Sequence, residues 1–291
     1  MSDINFYRAF EDRFRGSRVD IKSRLKVYLP FILPIQQFYG SSQGVDLGCG
    51  RGEWLELMQE NAMDVQGIDL DQGMLDVARE RGLKVIHGDA IKSLQSLSDE
   101  SQMLVSGFHL AEHLPFEVLQ VLIQESLRVL KPGGLMILET PNPENIVVGT
   151  ANFYLDPTHQ QPIPSQLLSF LVEYSGFDKV KILRLQEPVG LASNAALSLL
   201  DVLNGVSPDY AVVAQKGGAA EMSAAIAPAF EVDYGLSLEK LASSYDVQMK
   251  VKIQQGEQAK ATLDGIQNTL LWRTFSWIYI KLNLIRKHGE W

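Results

Sequence analysis

The sequence predicts an α/β domain built on a mainly parallel sheet, with a helical tail behind it. Three observations predict this. Apolar strand-like runs alternate with helical stretches between residues 44 and 140, a glycine-dense turn follows the first run, and the composition becomes polar and helix-favouring after residue 236.

Strands are expected at "GVDLG" (44–48), "DVQGID" (64–69), "LKVIHG" (83–88), "SQMLVSG" (101–107) and "GGLMILET" (133–140). Helices are expected between them at about 53–62, 72–81 and 116–130. The last of these carries Leu119, Leu122, Ile123, Leu127 and Leu130 at helical spacing, and "KPGG" ends it with Pro132 and two glycines. "IPSQLLSFLVEYSGF" reads as a further helix, with Pro164 in its first turn and Gly176 just past its end. "KVKILRL" and "DYAVVAQK" read as the last two strands. A run of small residues at 217–229 reads as a linker. Between 236 and 268 Gln and Lys occupy many seam positions of any heptad, so a coiled coil and a solvated single helix both stay open. The expected organisation is a helical cover segment (1–39), the α/β domain (40–216), a linker (217–230) and a helical tail (231–291).

Of 291 residues, 46% are hydrophobic, enough for one large domain with an appendage. The opening "MSDINFYRAFEDRFRG" has charges where a signal peptide needs an unbroken apolar core, and no run of about eighteen uncharged apolar residues follows. A cytoplasmic protein is expected. The single cysteine, Cys49, excludes an internal disulfide framework and a cysteine-based zinc site. Net charge is −9, although the first 28 residues carry seven Lys/Arg against four Asp/Glu and the last 22 carry four against one. An acidic body argues against nucleic acid as the main partner.

The glycines at 48, 50 and 52 lie in a turn between a first strand and a first helix, where a missing Cβ lets backbone approach a ligand. Glu53 stands where a dinucleotide fingerprint needs its third glycine, and no Walker lysine follows. Asp46-Leu-Gly48-Cys-Gly50-Arg-Gly52 resembles instead the first motif of class I S-adenosylmethionine-dependent methyltransferases. "GIDLD" after the second strand, "HGDA" after the third and "RVLKPGGLMIL" before the fifth extend that resemblance over residues 40–216. It implies a Rossmann-like seven-stranded sheet with helices on both faces, one antiparallel strand, and S-adenosylmethionine over the carboxyl ends of the strands. Gly48 and Gly50 would then approach the methionine part and Asp46 its amino group. Asp69, with Leu70 beside it, would accept the ribose hydroxyls, while Asp89 and the Ala90 amide would meet the adenine.

An alcohol acceptor has a pKa far above neutrality and needs a base or a metal near the methyl group. "GFHLAEHLP" offers His109, Glu112 and His113 at i, i+3 and i+4, on one face if the piece is helical, and "FYLDPTHQQP" offers His159. This stretch resembles that of ubiquinone-pathway O-methyltransferases and small-RNA 3′-end methyltransferases, which hold a divalent metal with Glu-x-x-Glu-His and a distant His. Here His109 replaces the first Glu. Three roles stay open: Mg²⁺ or Mn²⁺ held by His109, Glu112, His113 and His159; His113 or His159 as a metal-free base beside Glu112; or a purely structural role at a helix start.

"FYRAFEDRFRGSR", "ETPNPEN", "DPTHQQPIP" and the tail resemble methyltransferases of bacterial surface-polysaccharide gene clusters, including O-antigen enzymes that cap a chain by methylating its terminal sugar. That likeness implies a glycan or lipid-linked oligosaccharide substrate, polysaccharide glycosyltransferases as partners, and Arg15 reaching the cofactor carboxylate. The tail mixes aromatics with Arg273, Lys281, Arg286 and Lys287, which suits peripheral contact with the inner membrane, a partner groove or packing back on the domain. Oligomerisation stays open. No Asn/Asp-Pro-Pro-aromatic follows the fourth strand, which ends in Ser106-Gly107-Phe108-His109, so methylation of bases is disfavoured. A quinone or phenol O-methyltransferase and a cofactor-binding scaffold that regulates chain length are the other readings.

Overall fold

The computed structural model describes residues 16–193 and 196–287. Seven strands form one sheet: β1 (Gln43–Leu47), β2 (Asp64–Asp69), β3 (Val85–His87), β4 (Gln102–Phe108), β5 (Leu130–Pro141), β6 (Lys179–Leu185) and β7 (Asp209–Gln215). Their order is β3-β2-β1-β4-β5-β7-β6, and β7 runs antiparallel to both of its neighbours. The helices are α1 (Arg18–Leu25), α2 (Leu29–Gln36), α3 (Glu53–Glu60), α4 (Gln72–Glu80), α5 (Ala90–Ser96), α6 (Phe116–Val129), α7 (Ile146–Thr150), α8 (Ser165–Tyr174), α9 (Leu199–Asn204), α10 (Ala220–Glu231), α11 (Leu238–Gln267) and α12 (Leu270–Lys287). The predicted α/β sheet with helices on both faces is the observed one.

Strand alternation divides the core. Leu104, Leu135, Ile137, Ala211 and Val213 face one side, where α1, α2, α3 and α10 bring Leu25, Phe31, Ile32, Leu57, Met58 and Ile226. Val105, Met136, Leu138, Val212 and Ala214 face the other, against Leu119, Leu122 and Ile123 of α6 and Leu168 and Val172 of α8. Strands covered on both faces read as continuous apolar runs, which is why they are visible in the sequence. Strand order reverses between β1 and β4, and a crevice opens there beyond their carboxyl ends.

Several boundaries differ from expectation. β3 is confined to Val85–His87, where β2 is its only neighbour. β5 starts at Leu130, directly after α6, rather than at residue 133. Pro164 is the N-cap of α8, one residue ahead of the first turn. Gly176, at φ +108°, does follow the end of α8.

Segment 217–230, expected as a linker, instead carries α10. Its alanines favour a helix as strongly as they suggested a loose connection, and Ile226 supplies the anchor, fully buried in the core. Phe31 of α2 packs edge-on against Phe230 at 5.3 Å between ring centres. The tail is likewise split in its behaviour. Leu236, just ahead of α11, and Leu241 in its first turns are buried with Leu191, Leu197, Val202 and Val206, and the Gln248 side chain accepts a hydrogen bond from the Leu197 amide at 2.8 Å. From Lys250 to Gln267 the helix is exposed on every side.

Leu241→Ala is therefore expected to destabilise the fold by about 2 to 4 kcal/mol, the range for a buried leucine truncation. Leu263→Ala, farther along the same helix, should stay within about 0.5 kcal/mol. Urea titration of both variants checks the contrast.

Candidate active site

The glycine turn is held in shape from beneath. Gly48, Gly50 and Gly52 have φ of +69°, +51° and +79°, a region in which other residues are strained. The Gly48 and Cys49 amides both donate to the Ile68 carbonyl, at 2.8 and 3.0 Å. The Gly50 amide donates to Asp69 Oδ2 at 2.8 Å, and the Asp71 amide donates to Asp69 Oδ1 at 2.7 Å. Asp69 thus couples the first turn to the second, with lone pairs remaining on both oxygens. Asp89 caps α5 through Oδ1, which accepts from the Lys92 amide at 2.9 Å. Asp46 is buried and accepts from the Ser106 hydroxyl at 2.7 Å.

These residues line a cleft of about 760 Å³ at the carboxyl ends of β1, β2 and β4. Asp46, Gly48, Gly50, Asp69, Leu70, Asp89 and Ala90 all open onto it, as do His109, His113 and His159. The crevice, the bare backbone and the acceptors from two successive strand ends fit an adenosine-bearing cofactor. Arg15 lies outside the described residues. Among the described residues, Arg24, exposed on α1, is the arginine that lines the cleft.

The histidines do not share a helical face. Residues 111–113 form one 3₁₀ turn, and His109 precedes it at φ +54° with its amide donating to the Glu139 carbonyl at 2.8 Å. Its ring contacts two carboxylates, Nδ1 lying 3.2 Å from Glu112 and Nε2 lying 3.7 Å from Glu139. Burial alone would lower its pKa, but the hydrogen bond to Glu112, the nearby Glu139 carboxylate and the charge of Asp209 hold it well above the usual value. Its side chain is 42% exposed and lines the cleft. Glu112 is fully buried and also accepts from the Thr140 hydroxyl at 2.9 Å. Burial pushes it up and the His109 contact pulls it down, leaving it below the usual carboxylate range. Burial, with Glu139 and Glu112 nearby, raises Asp209 to about 7.

His113 and His159 form a second group. Their ring centres are 4.7 Å apart. The Thr158 hydroxyl donates to Asp156 Oδ1 at 2.6 Å, so toward His113 Nδ1, 2.9 Å away, it can only accept. His159 Nδ1 lies 2.6 Å from the Phe153 carbonyl, which can only accept. Both Nδ1 atoms therefore carry hydrogen, and the neutral rings have their lone pairs on Nε2. Burial, with His159 beside it, lowers the His113 pKa despite Glu112 and Asp156. His113 is neutral at pH 7.

The four residues expected to hold one ion are divided between two clusters. Ligand atoms of Glu112, His113 and His159 lie within 4.8 Å of one another, and those of His109, Glu139 and Asp209 form a separate set at the same spacing. The physical reason is the turn at His109, which directs its ring toward β5 and β7. Sequence reasoning missed Glu139, Asp209, Thr158 and Gln186. An acid ending the apolar run "LMILET" and another heading "DYAVVAQ" were the available signals for the first two.

A methyltransferase-domain family model matches residues 45–134. A probable S-adenosylmethionine-dependent methyltransferase of Mycolicibacterium smegmatis is 30% identical over 165 residues, which are 56% of this chain and 60% of that protein. A ubiquinone biosynthesis O-methyltransferase of Bordetella avium is 32% identical over 116 residues, 37% of this chain and 47% of that protein. The chain thus spans less than two thirds of these relatives. The crystal structure of a SAM-dependent methyltransferase from Archaeoglobus fulgidus is 33% identical, superposes with a TM-score of 0.63, and is covered over its entire length by 72% of this chain.

Asp69→Asn is expected to weaken S-adenosylmethionine binding by about 1.5 to 3 kcal/mol, the range for hydrogen bonds to a charged group. Isothermal titration measures it, and unchanged affinity removes Asp69 from the site.

Proposed function

The chain belongs to the S-adenosylmethionine-dependent methyltransferases, and from that premise we propose that it methylates a hydroxyl oxygen of a saccharide, with His113 taking the hydroxyl proton. The fixed tautomers of His113 and His159 carry this reading, since each neutral ring then has its lone pair on Nε2, and the two ring centres lie 4.7 Å apart at the cleft. Gly48, Gly50, Asp69 and Asp89 would hold the cofactor, which when bound supplies an electrophilic methyl carbon. His113 Nε2 accepts the proton as the acceptor oxygen becomes nucleophilic. His159 stands beside it, and Asp156, through Thr158, keeps the His113 ring oriented.

A saccharide is supported by the density of hydrogen-bonding groups at the acceptor end. Arg24, Glu139, Asn152, Gln186 and Asp209 line the same cleft, and a polyol matches such a wall with hydroxyls that both donate and accept. The likeness of "ETPNPEN" and "DPTHQQPIP" to surface-polysaccharide enzymes supports a terminal sugar or its lipid-linked precursor. A phenolic acceptor is the second reading, favoured by the name of the B. avium relative. A divalent cation on Glu112, His113 and His159 is the alternative means of activating either acceptor, since backbone and hydroxyl partners at Nδ1 also orient metal-ligating imidazoles.

Labelled S-adenosylmethionine incubated with lipid-linked oligosaccharides and with a catechol, with and without EDTA, distinguishes these readings. Label in the saccharide that resists EDTA is expected. Loss restored by Mg²⁺ or Mn²⁺ moves the mechanism to the metal, and label in the catechol alone moves the substrate to phenols. His113→Ala should reduce kcat by about 10²- to 10⁴-fold. Protonated His113 cannot act as a base, so kcat/KM should fall as pH drops through a value below 6.5 and be level at neutral pH.

A further inference from the structure

We propose that α12 is a docking helix for an anionic lipid bilayer and lies in the plane of the headgroups. The inference is independent of the acceptor. Along α12, Leu271, Trp272, Phe275, Ile278 and Tyr279 recur at the spacing of one helical face, and their exposures run from 47% for Trp272 and Ile278 to 71% for Leu271. Arg273, Thr274, Ser276 and Lys281 lie on the other side together with the exposed Leu270, Trp277 and Ile280, and the Lys281 ammonium sits 4.2 Å from the centre of the Trp277 ring. Large apolar side chains exposed together mark an interaction surface rather than ordinary solvent-facing positions.

Charge selects the occupant. The segment Leu270–Lys287 contains Arg273, Lys281, Arg286 and Lys287 and no Asp or Glu, in a chain whose net charge is −9. A wide apolar face with aromatics, and an opposite side on which Arg273 and Lys281 stand among further apolar side chains including Trp277, suits the boundary of an anionic membrane. Among the described residues no helix is long and apolar enough to cross one. The preceding helix supplies the separation that an acidic body needs from such a surface. After Gln248 touches the domain, α11 continues fully exposed over residues 250–267, eighteen residues or roughly 27 Å at 1.5 Å per residue. Thr269 caps the junction, its hydroxyl accepting from the Trp272 amide at 3.3 Å. A second copy is a poorer occupant, because Lys252 and Gly256 interrupt the seam that Met249, Ala259, Leu263 and Ile266 would otherwise begin on α11.

The full chain should cosediment with sucrose-loaded vesicles of phosphatidylcholine and phosphatidylglycerol, and at least tenfold less with phosphatidylcholine alone. Phe275→Ser/Ile278→Ser and Arg273→Glu/Lys281→Glu should each lower binding to the mixed vesicles by at least tenfold. Both variants should keep wild-type circular dichroism and cofactor affinity, because α12 does not line the cleft. Salt near ~1 M, where the screening length is about 3 Å, should also release the wild-type protein. Equal binding to neutral vesicles, no binding to either, or wild-type binding by the variants overturns the proposal. A dimer by light scattering that Phe275→Ser/Ile278→Ser dissociates, without vesicle binding, assigns the face to a second copy instead.

Discussion

Two buried carboxylates at the carboxyl edge of the sheet, Glu112 and Glu139, constrain much of what surrounds them. A carboxylate removed from water must be paired, and breaking such a pair costs more than the pair contributes when intact. Glu139 accepts from the Tyr28 hydroxyl and from the Gln186 amide at 3.2 Å, and Glu112 from Thr140 and His109. These partners come from the N-terminal helical segment, the stretch after β6, β5 itself and the turn after β4. Pairing two charges therefore draws four separate parts of the chain into one wall of the cleft. Burial and the neighbouring Glu139 raise the Tyr28 pKa well above its ordinary value, so the phenol stays a donor.

The same wall separates two kinds of histidine. His109 is surrounded by Glu112, Glu139 and Asp209 and is held cationic, so it offers charge and a hydrogen-bond donor but no lone pair. His113 and His159 are anchored through Nδ1 to oxygen acceptors, which leaves Nε2 as the proton-accepting atom of a neutral ring, and Asp156 Oδ2 lies 3.9 Å from that atom of His159. Glu112 touches His109 and lies next to His113 in sequence, which makes it the boundary between an electrostatic region and a proton-accepting one. Identical side chains acquire different chemistry because the partners at one ring nitrogen decide what the other can do.

Residues that act through backbone and local spacing were legible in the sequence. Gly48, Gly50, Asp69 and Asp89 follow from strand-turn-helix units a few residues long, and the structure places all four on the cleft. His113 and His159 were legible as chemistry-bearing residues, and they do meet. Glu139 and Asp209 were not, since an acid at a strand end gains a partner in the cleft only when a nonlocal neighbour faces it, and Thr158 was not, since its contact with His113 crosses 45 residues. Helix α10 was misread because an alanine-rich stretch is compatible with both a linker and a helix until Ile226 and Phe230 find a core to enter.

By itself the sequence determined the order and type of the sheet elements and the position of the cofactor turn, because periodicity, glycine placement and helix caps are local properties of the chain. It also determined that α12 is apolar, aromatic and cationic at once. Only the tertiary structure decided that His109 leaves the other histidines, that the start of α11 belongs to the body while its remainder projects, and that α12 is left uncovered. Those outcomes depend on which surfaces meet across strands distant in sequence, where the pairing of buried charge and the burial of apolar area select one arrangement from many that the local pattern permits.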